Sequence, residues 1–146
     1  MNTNNLAADR VERIKRYWKA AAEQDHDTIS ELVSSDVFRS GPLNSTVDDV
    51  KGRERYCDYV RKIQEHLSTY RNATHDILAS PDGKRAYLHC TEWDGVGGTE
   101  IEVPLILIFD FNDAGLMTKI DIFWKSTADA ALYGQFVQFL SGFKVK

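Results

Sequence analysis

One stretch limits the fold more than any other: Val103-Pro104-Leu105-Ile106-Leu107-Ile108-Phe109 is apolar at every position. A strand shows alternate residues to opposite faces, so a strand with one wet face should alternate in polarity. This one needs cover on both faces. It lies inside the segment Thr99 to Phe111, bounded by the glycines Gly95, Gly97 and Gly98 and by a turn from Asn112 to Gly115. Three more strand patterns flank it: Tyr70 to Ala79, Arg85 to Asp94, and Met117 to Lys125. The first two are separated by Pro81-Asp82-Gly83-Lys84, a turn sequence. Pro104 has no N–H for a ladder and is expected at an edge or a bulge.

Before Thr69 the periodicity is helical. Val11, Ile14, Trp18 and Ala21 predict a helix from about Ala8 to Glu23, with residues 1–7 as a flexible N-terminus. Asp25 or Asp27 caps a second helix carrying Ile29, Leu32 and Val33. After a break at Ser40-Gly41-Pro42, a third helix starts near Gly52, with Tyr56, Tyr59, Val60, Ile63 and Leu67 on one face. A last helix is expected from Thr127 to Ser141. Helices followed by an antiparallel meander make an α+β domain, and no linker or repeat divides residues 8–146. The second face of the long apolar strand is expected to be covered by another copy of the chain, a homodimer. The alternative cover is the C-terminal helix.

Composition removes several classes of function. With 42% hydrophobic and 27% charged residues the chain is globular, and at 146 residues it can bury a core. The net charge of -4 argues against nucleic-acid binding, which needs a basic surface. No apolar run reaches membrane-spanning length, so no membrane partner is expected. The polar start, Met1 to Asn5, lacks the regions of a signal peptide, so a cytoplasmic location is expected. Cys57 and Cys90 fall inside predicted elements and are expected to act as small apolar residues. The four histidines are too dispersed for a metal motif, and neither a metal nor another cofactor is expected.

Several strings, in order, resemble ketosteroid isomerase of the nuclear transport factor 2-like superfamily. Lys15-Arg16-Tyr17 through Asp25, Ile29, Asp36 and Pro42 resembles that family's opening. Gly52-Arg53-Glu54 resembles the start of its third helix; Trp93-Asp94-Gly95, Phe109 to Gly115 and Ile122-Phe123-Trp124 resemble its hairpin and final strand. The resemblance implies a cone-shaped, curved antiparallel sheet packed on three N-terminal helices around a pocket, here with an extra C-terminal helix. It places Tyr17 where the family keeps the tyrosine that hydrogen-bonds an enolate oxygen, and Trp124 where a tryptophan lines the pocket. Two carboxyls are missing from the pattern. Gly41 stands where the base aspartate should precede Pro42, and Leu107 where the second acid should be, so steroid isomerisation by that route is excluded. Thr74-His75-Asp76 resembles the histidine string of scytalone dehydratase. Against limonene epoxide hydrolase, only Glu92 comes near an acidic position, with Cys90 and Ile122 in place of the arginine and the last aspartate. The SnoaL-like polyketide cyclases are similar in the same loose way.

Register decides what enters the pocket. If Trp124 points in, so does Ile122. On the strand from Arg85, either Tyr87, His89, Thr91 and Trp93 face the pocket, or Leu88, Cys90, Glu92 and Asp94 do. The isomerase resemblance favours the first set. His75 and His89 are then expected as pocket bases, with Tyr17 as hydrogen-bond donor. Trp18, Tyr59, Tyr87, Thr91, Leu105, Leu107, Ile122 and Trp124 are expected to contact substrate, and Glu92 is the reserve base for the other register. The expected function is cofactor-independent acid–base chemistry (isomerisation, cyclisation or dehydration) on an apolar, oxygenated polyketide-, terpenoid- or steroid-like molecule. The alternatives are a binding protein without turnover, an epoxide hydrolase or a protein–protein adaptor.

Overall fold

The computed structural model describes residues 3–43 and 48–125, with isolated positions at 134, 138 and 142. The expected C-terminal helix lies outside the two described stretches. Helix α1 runs Thr3–Glu23 and thus begins before Ala8. The added turn brings Leu6 against the β-turn at Gly83, where a Cβ would stand 3.0 Å from that of Leu6. One turn on, Arg10 Nε donates to the Gly83 carbonyl at 2.9 Å. Helix α2 (His26–Leu32) is capped by Asp25, whose carboxylate accepts from Thr28 N at 3.1 Å. Val33 was expected to end this helix. It opens a strand instead, β1 (Val33–Ser40), where β-branched side chains pack well. A two-residue strand β2 (Val50–Lys51) precedes α3 (Arg53–His66).

The four expected strands follow: β3 (Tyr70–Ala79), β4 (Arg85–Val96), β5 (Thr99–Phe111) and β6 (Met117–Trp124). Gly97 and Gly98 both have positive φ, 58° and 82°, which lets two residues join β4 to β5 in a tight hairpin. The sheet order is β2-β1-β6-β5-β4-β3. From β3 to β6 the pairing is the antiparallel meander read from the sequence. β1 extends it beyond β6, running parallel to that strand, so the whole is a mixed, curved and unclosed sheet with three helices on one side. Pro104 lies in β5, an interior strand, opposite Thr91. Its carbonyl accepts from Lys125 N at 2.9 Å, just past the end of β6, so the missing N–H points where the β6 ladder stops.

The apolar run is covered on one face only by the described residues. Val103, Leu105, Leu107 and Phe109 are buried under the helices, whereas Ile106 is 43% exposed on the outer face. Its neighbours there, Tyr87, Leu78 and Phe123, are exposed as well. Cys57 and Cys90 are free and buried in the core. No helix among the described residues is long and apolar enough to cross a membrane.

Candidate active site

The concave side of the sheet and helices α1 and α3 enclose a cavity of about 110 Å3. Its register follows from the strand pairs. Trp124 and Ile122 of β6 stand opposite Leu105 and Leu107 of β5. These in turn stand opposite Cys90 and Leu88 of β4. The even-numbered residues of β4 therefore face inward, and two steps further along the same face come Glu92 and Asp94.

This register corrects the placement expected for the histidines. His89 pairs with Ile106 and shares its outward face, and Tyr87 is likewise exposed there. A bulge between Thr74 and Asp76 takes His75 to the outer side too. There its Nε2 lies 2.7 Å from Thr91 Oγ1 and its ring centroid 5.0 Å from that of His89. Thr91 is buried under this pair rather than turned to the cavity. Hence His75, His89, Tyr87 and Thr91 do not line the cavity. The physical reason was legible: Ala86, Leu88 and Cys90 alternate with Arg85, Tyr87 and His89, and the smaller apolar set takes the core. Tyr17, Trp18, Tyr59, Leu105, Leu107, Ile122 and Trp124 do line it, and so does Glu92. Asp94 lines it as well, as the alternative register of β4 implied, whereas sequence reasoning missed Tyr70, Tyr56 and Arg39 as parts of this wall.

The polar groups are held by second partners. Asn72 Nδ2 donates to the Trp18 carbonyl at 3.0 Å and to the Tyr70 hydroxyl at 3.2 Å. Tyr70 then donates to Glu92 Oε1 at 3.0 Å. Tyr17 and Tyr56, on facing helices, join their hydroxyls at 2.5 Å. Arg39 of β1 lies over the Tyr59 ring, 4.7 Å from its centroid, and donates to the Asp48 carbonyl at 2.6 Å.

Burial sets the charge states. It pushes Glu92 above the usual carboxylate range, while the Tyr70 hydroxyl and the Arg39 charge pull it back. Asp94 has no such help: burial first, then the charge of Glu92, push it up to about 8. Of the pair, Glu92 therefore gives up its proton first and Asp94 holds its own to higher pH. Burial also pushes Tyr17 up to about 12 and Tyr56 well above its ordinary value, so both stay protonated. Such a set can accept a proton at Glu92 and donate hydrogen bonds from Tyr17 and Asp94. Among the described residues no group of three His, Cys, Asp or Glu is arranged to hold a metal ion.

Comparison with known proteins agrees with this architecture. An LEH-like epoxide hydrolase from M. tuberculosis superposes with a TM-score of 0.71 and 18% identity, over 93% of this chain and 92% of that one. A proposed ketosteroid isomerase from Kribbella flavida DSM 17836 gives 0.67 and 19%, over 84% and 82%. A proposed polyketide cyclase from Xanthomonas campestris pv. campestris gives 0.67 and 17%, over 82% and 93%. At these identities the likeness is one of fold. No curated protein matches in sequence. The profile of the SnoaL-like domain matches residues 14–120, most of the chain, and with this fold the chain belongs to the SnoaL-like domain family of the nuclear transport factor 2-like superfamily.

Proposed function

We propose that the protein is a small-molecule enzyme that performs acid–base chemistry on an apolar, oxygenated molecule held between α1, α3 and the sheet. One observation carries this reading: two carboxyls, Glu92 and Asp94, stand on one face of β4 in the wall of a largely apolar cavity, beside the Tyr17–Tyr56 pair. In the working state Glu92 is the ionised base. Glu92 takes a proton from a carbon next to a carbonyl, and the electron pair moves onto the carbonyl oxygen. Tyr17, accepting from Tyr56, donates its own hydrogen to that oxygen. Returning the proton at another carbon is isomerisation. Expelling a β-hydroxyl as water, with the proton that Glu92 carries, is dehydration, and attack on a second carbonyl, whose oxygen then takes that proton, is cyclisation. Glu92 thus takes the part of base that His75 and His89 were expected to play.

The neighbours named above as isomerase, cyclase and epoxide hydrolase support a reaction of this class, which all need a positioned acid or base. A homodimer through the outer sheet face belongs to the proposal, supported by the exposed Leu78, Ile106 and Phe123. The test is exchange of the α-protons of cyclohexanone in heavy water, followed by NMR. The protein should accelerate exchange above buffer. Binding of the ketone without acceleration would favour a binding protein of the same fold.

A further inference from the structure

Two residues of the cavity lining each carry a buried polar atom that the described residues leave without a hydrogen-bond partner. Trp18 Nε1 and Asp94 Oδ1 have none among the described residues, and their residues are only 4% and 3% exposed. An indole N–H only donates, so Trp18 calls for an acceptor oxygen on a ligand. The Asp94 oxygen calls for a donor, and a buried carboxylate calls for a positive one. The surrounding wall is aromatic: Tyr17, Tyr56, Tyr59, Tyr70 and Trp124 all line the cavity, and ring faces attract cations. Charge points the same way. The lining holds two acids and one base, and that base, Arg39, is already engaged with the Tyr59 ring and the Asp48 carbonyl.

We propose that the molecule this cavity takes is an apolar amine that also bears an oxygen, its ammonium against Asp94 and its oxygen on the Trp18 N–H. This rests on the reading of the cavity as the substrate site and names the substrate class. The ammonium replaces the proton that Asp94 otherwise keeps; that proton passes to solvent, and Glu92 remains ionised as base. The titratable groups sharing the cavity with Asp94 are Tyr17 on α1, Arg39 on β1, Tyr56 and Tyr59 on α3, Tyr70 on β3 and Glu92 on its own strand. β5 and β6 present only Leu105, Leu107, Ile122 and Trp124. Burial holds the tyrosines protonated, so Asp94 is the group among them whose charge changes near pH 8.

Calorimetric titration of the full chain with cyclohexylamine and with cyclohexanol tests this. The two probes match in size, and the amine is protonated throughout. Near pH 8.5 the amine should bind at least ~10-fold more tightly than the alcohol. Near pH 6 its advantage should shrink, because Asp94 then holds a proton that the ammonium must displace. Near pH 7, titration in two buffers of different ionisation heat should show proton release on amine binding. Asp94→Asn should bring the ratio of the two affinities towards one, with folding checked by thermal melting. Should that variant fail to fold, the pH dependence of the wild type stands as the test. Equal affinity for both probes at both pH values, a preference for the alcohol, or binding of neither overturns the inference. Cyclohexanone exchange without an amine preference sinks this inference and leaves the proposed function standing. An amine preference without exchange does the reverse.

Discussion

Asp94 is a carboxyl whose environment departs far from that of a free side chain. Burial and Glu92 lift its carboxyl from 3.8 to about 8, so the folded state holds a proton there that the unfolded chain gives up. The sign follows: this contribution to stability is full below about pH 4 and is lost progressively as pH rises to about 8. Asp94→Asn removes that dependence. Denaturant melts should show the variant more stable than wild type at pH 8.5, by on the order of 1–3 kcal/mol, with the difference gone near pH 4. The same pair shapes the rate. With a neutral ketone, exchange needs Glu92 ionised and Asp94 protonated, so its pH profile should be a bell. The alkaline limb belongs near 8, and the acid limb above the ordinary glutamate range because burial raises Glu92. A rate that stays flat through pH 9 would remove Asp94 from the chemistry.

At the scale of elements, β4 separates what the sequence reveals from what it conceals. The strands and turns from Tyr70 onwards follow from periodicity and glycine placement, and β3 and β5 keep the expected bounds. Val33 to Ser40 hid its strand because Ser34, Ser35 and Asp36 break the apolar alternation. The face of β4 was the harder question. Alternation predicts polar residues outward, and Glu92 and Asp94 follow the apolar Leu88 and Cys90 inward only because Tyr70, Arg39 and the proton held by Asp94 make their burial tolerable. His26 Nε2 lies 2.8 Å from Gln64 Oε1 and links α2 to α3. Helix α1 is held to the β3–β4 hairpin by Arg10, which is buried, donates to Gly83 and packs over the Phe111 ring at 5.3 Å. Arg10→Ala should lower stability in chemical denaturation by about 1–3 kcal/mol, the cost of leaving that carbonyl without its donor.

At the scale of the molecule, the sheet divides two functions. Its concave face builds the cavity, and its convex face carries Leu78, Ile106 and Phe123 with the neighbouring His75 and His89 rings. Light scattering at micromolar concentration should give twice the chain mass, and Phe123→Glu should return it to one, since an unpaired charge is costly to bury. A wild-type protein that scatters as one chain would contradict the dimer. The same division lets a single comparison decide where the chemistry lies. Glu92 and His89 are three residues apart on one strand and on opposite sides of the sheet. The decisive measurement is α-proton exchange of cyclohexanone in heavy water with wild type, Glu92→Gln and His89→Ala, each shown to be folded. The account predicts that Glu92→Gln slows exchange at least ~10-fold, within the usual cost of about a hundredfold to ten-thousandfold for losing a base, and that His89→Ala keeps the wild-type rate. Full activity in Glu92→Gln together with its loss in His89→Ala would contradict it.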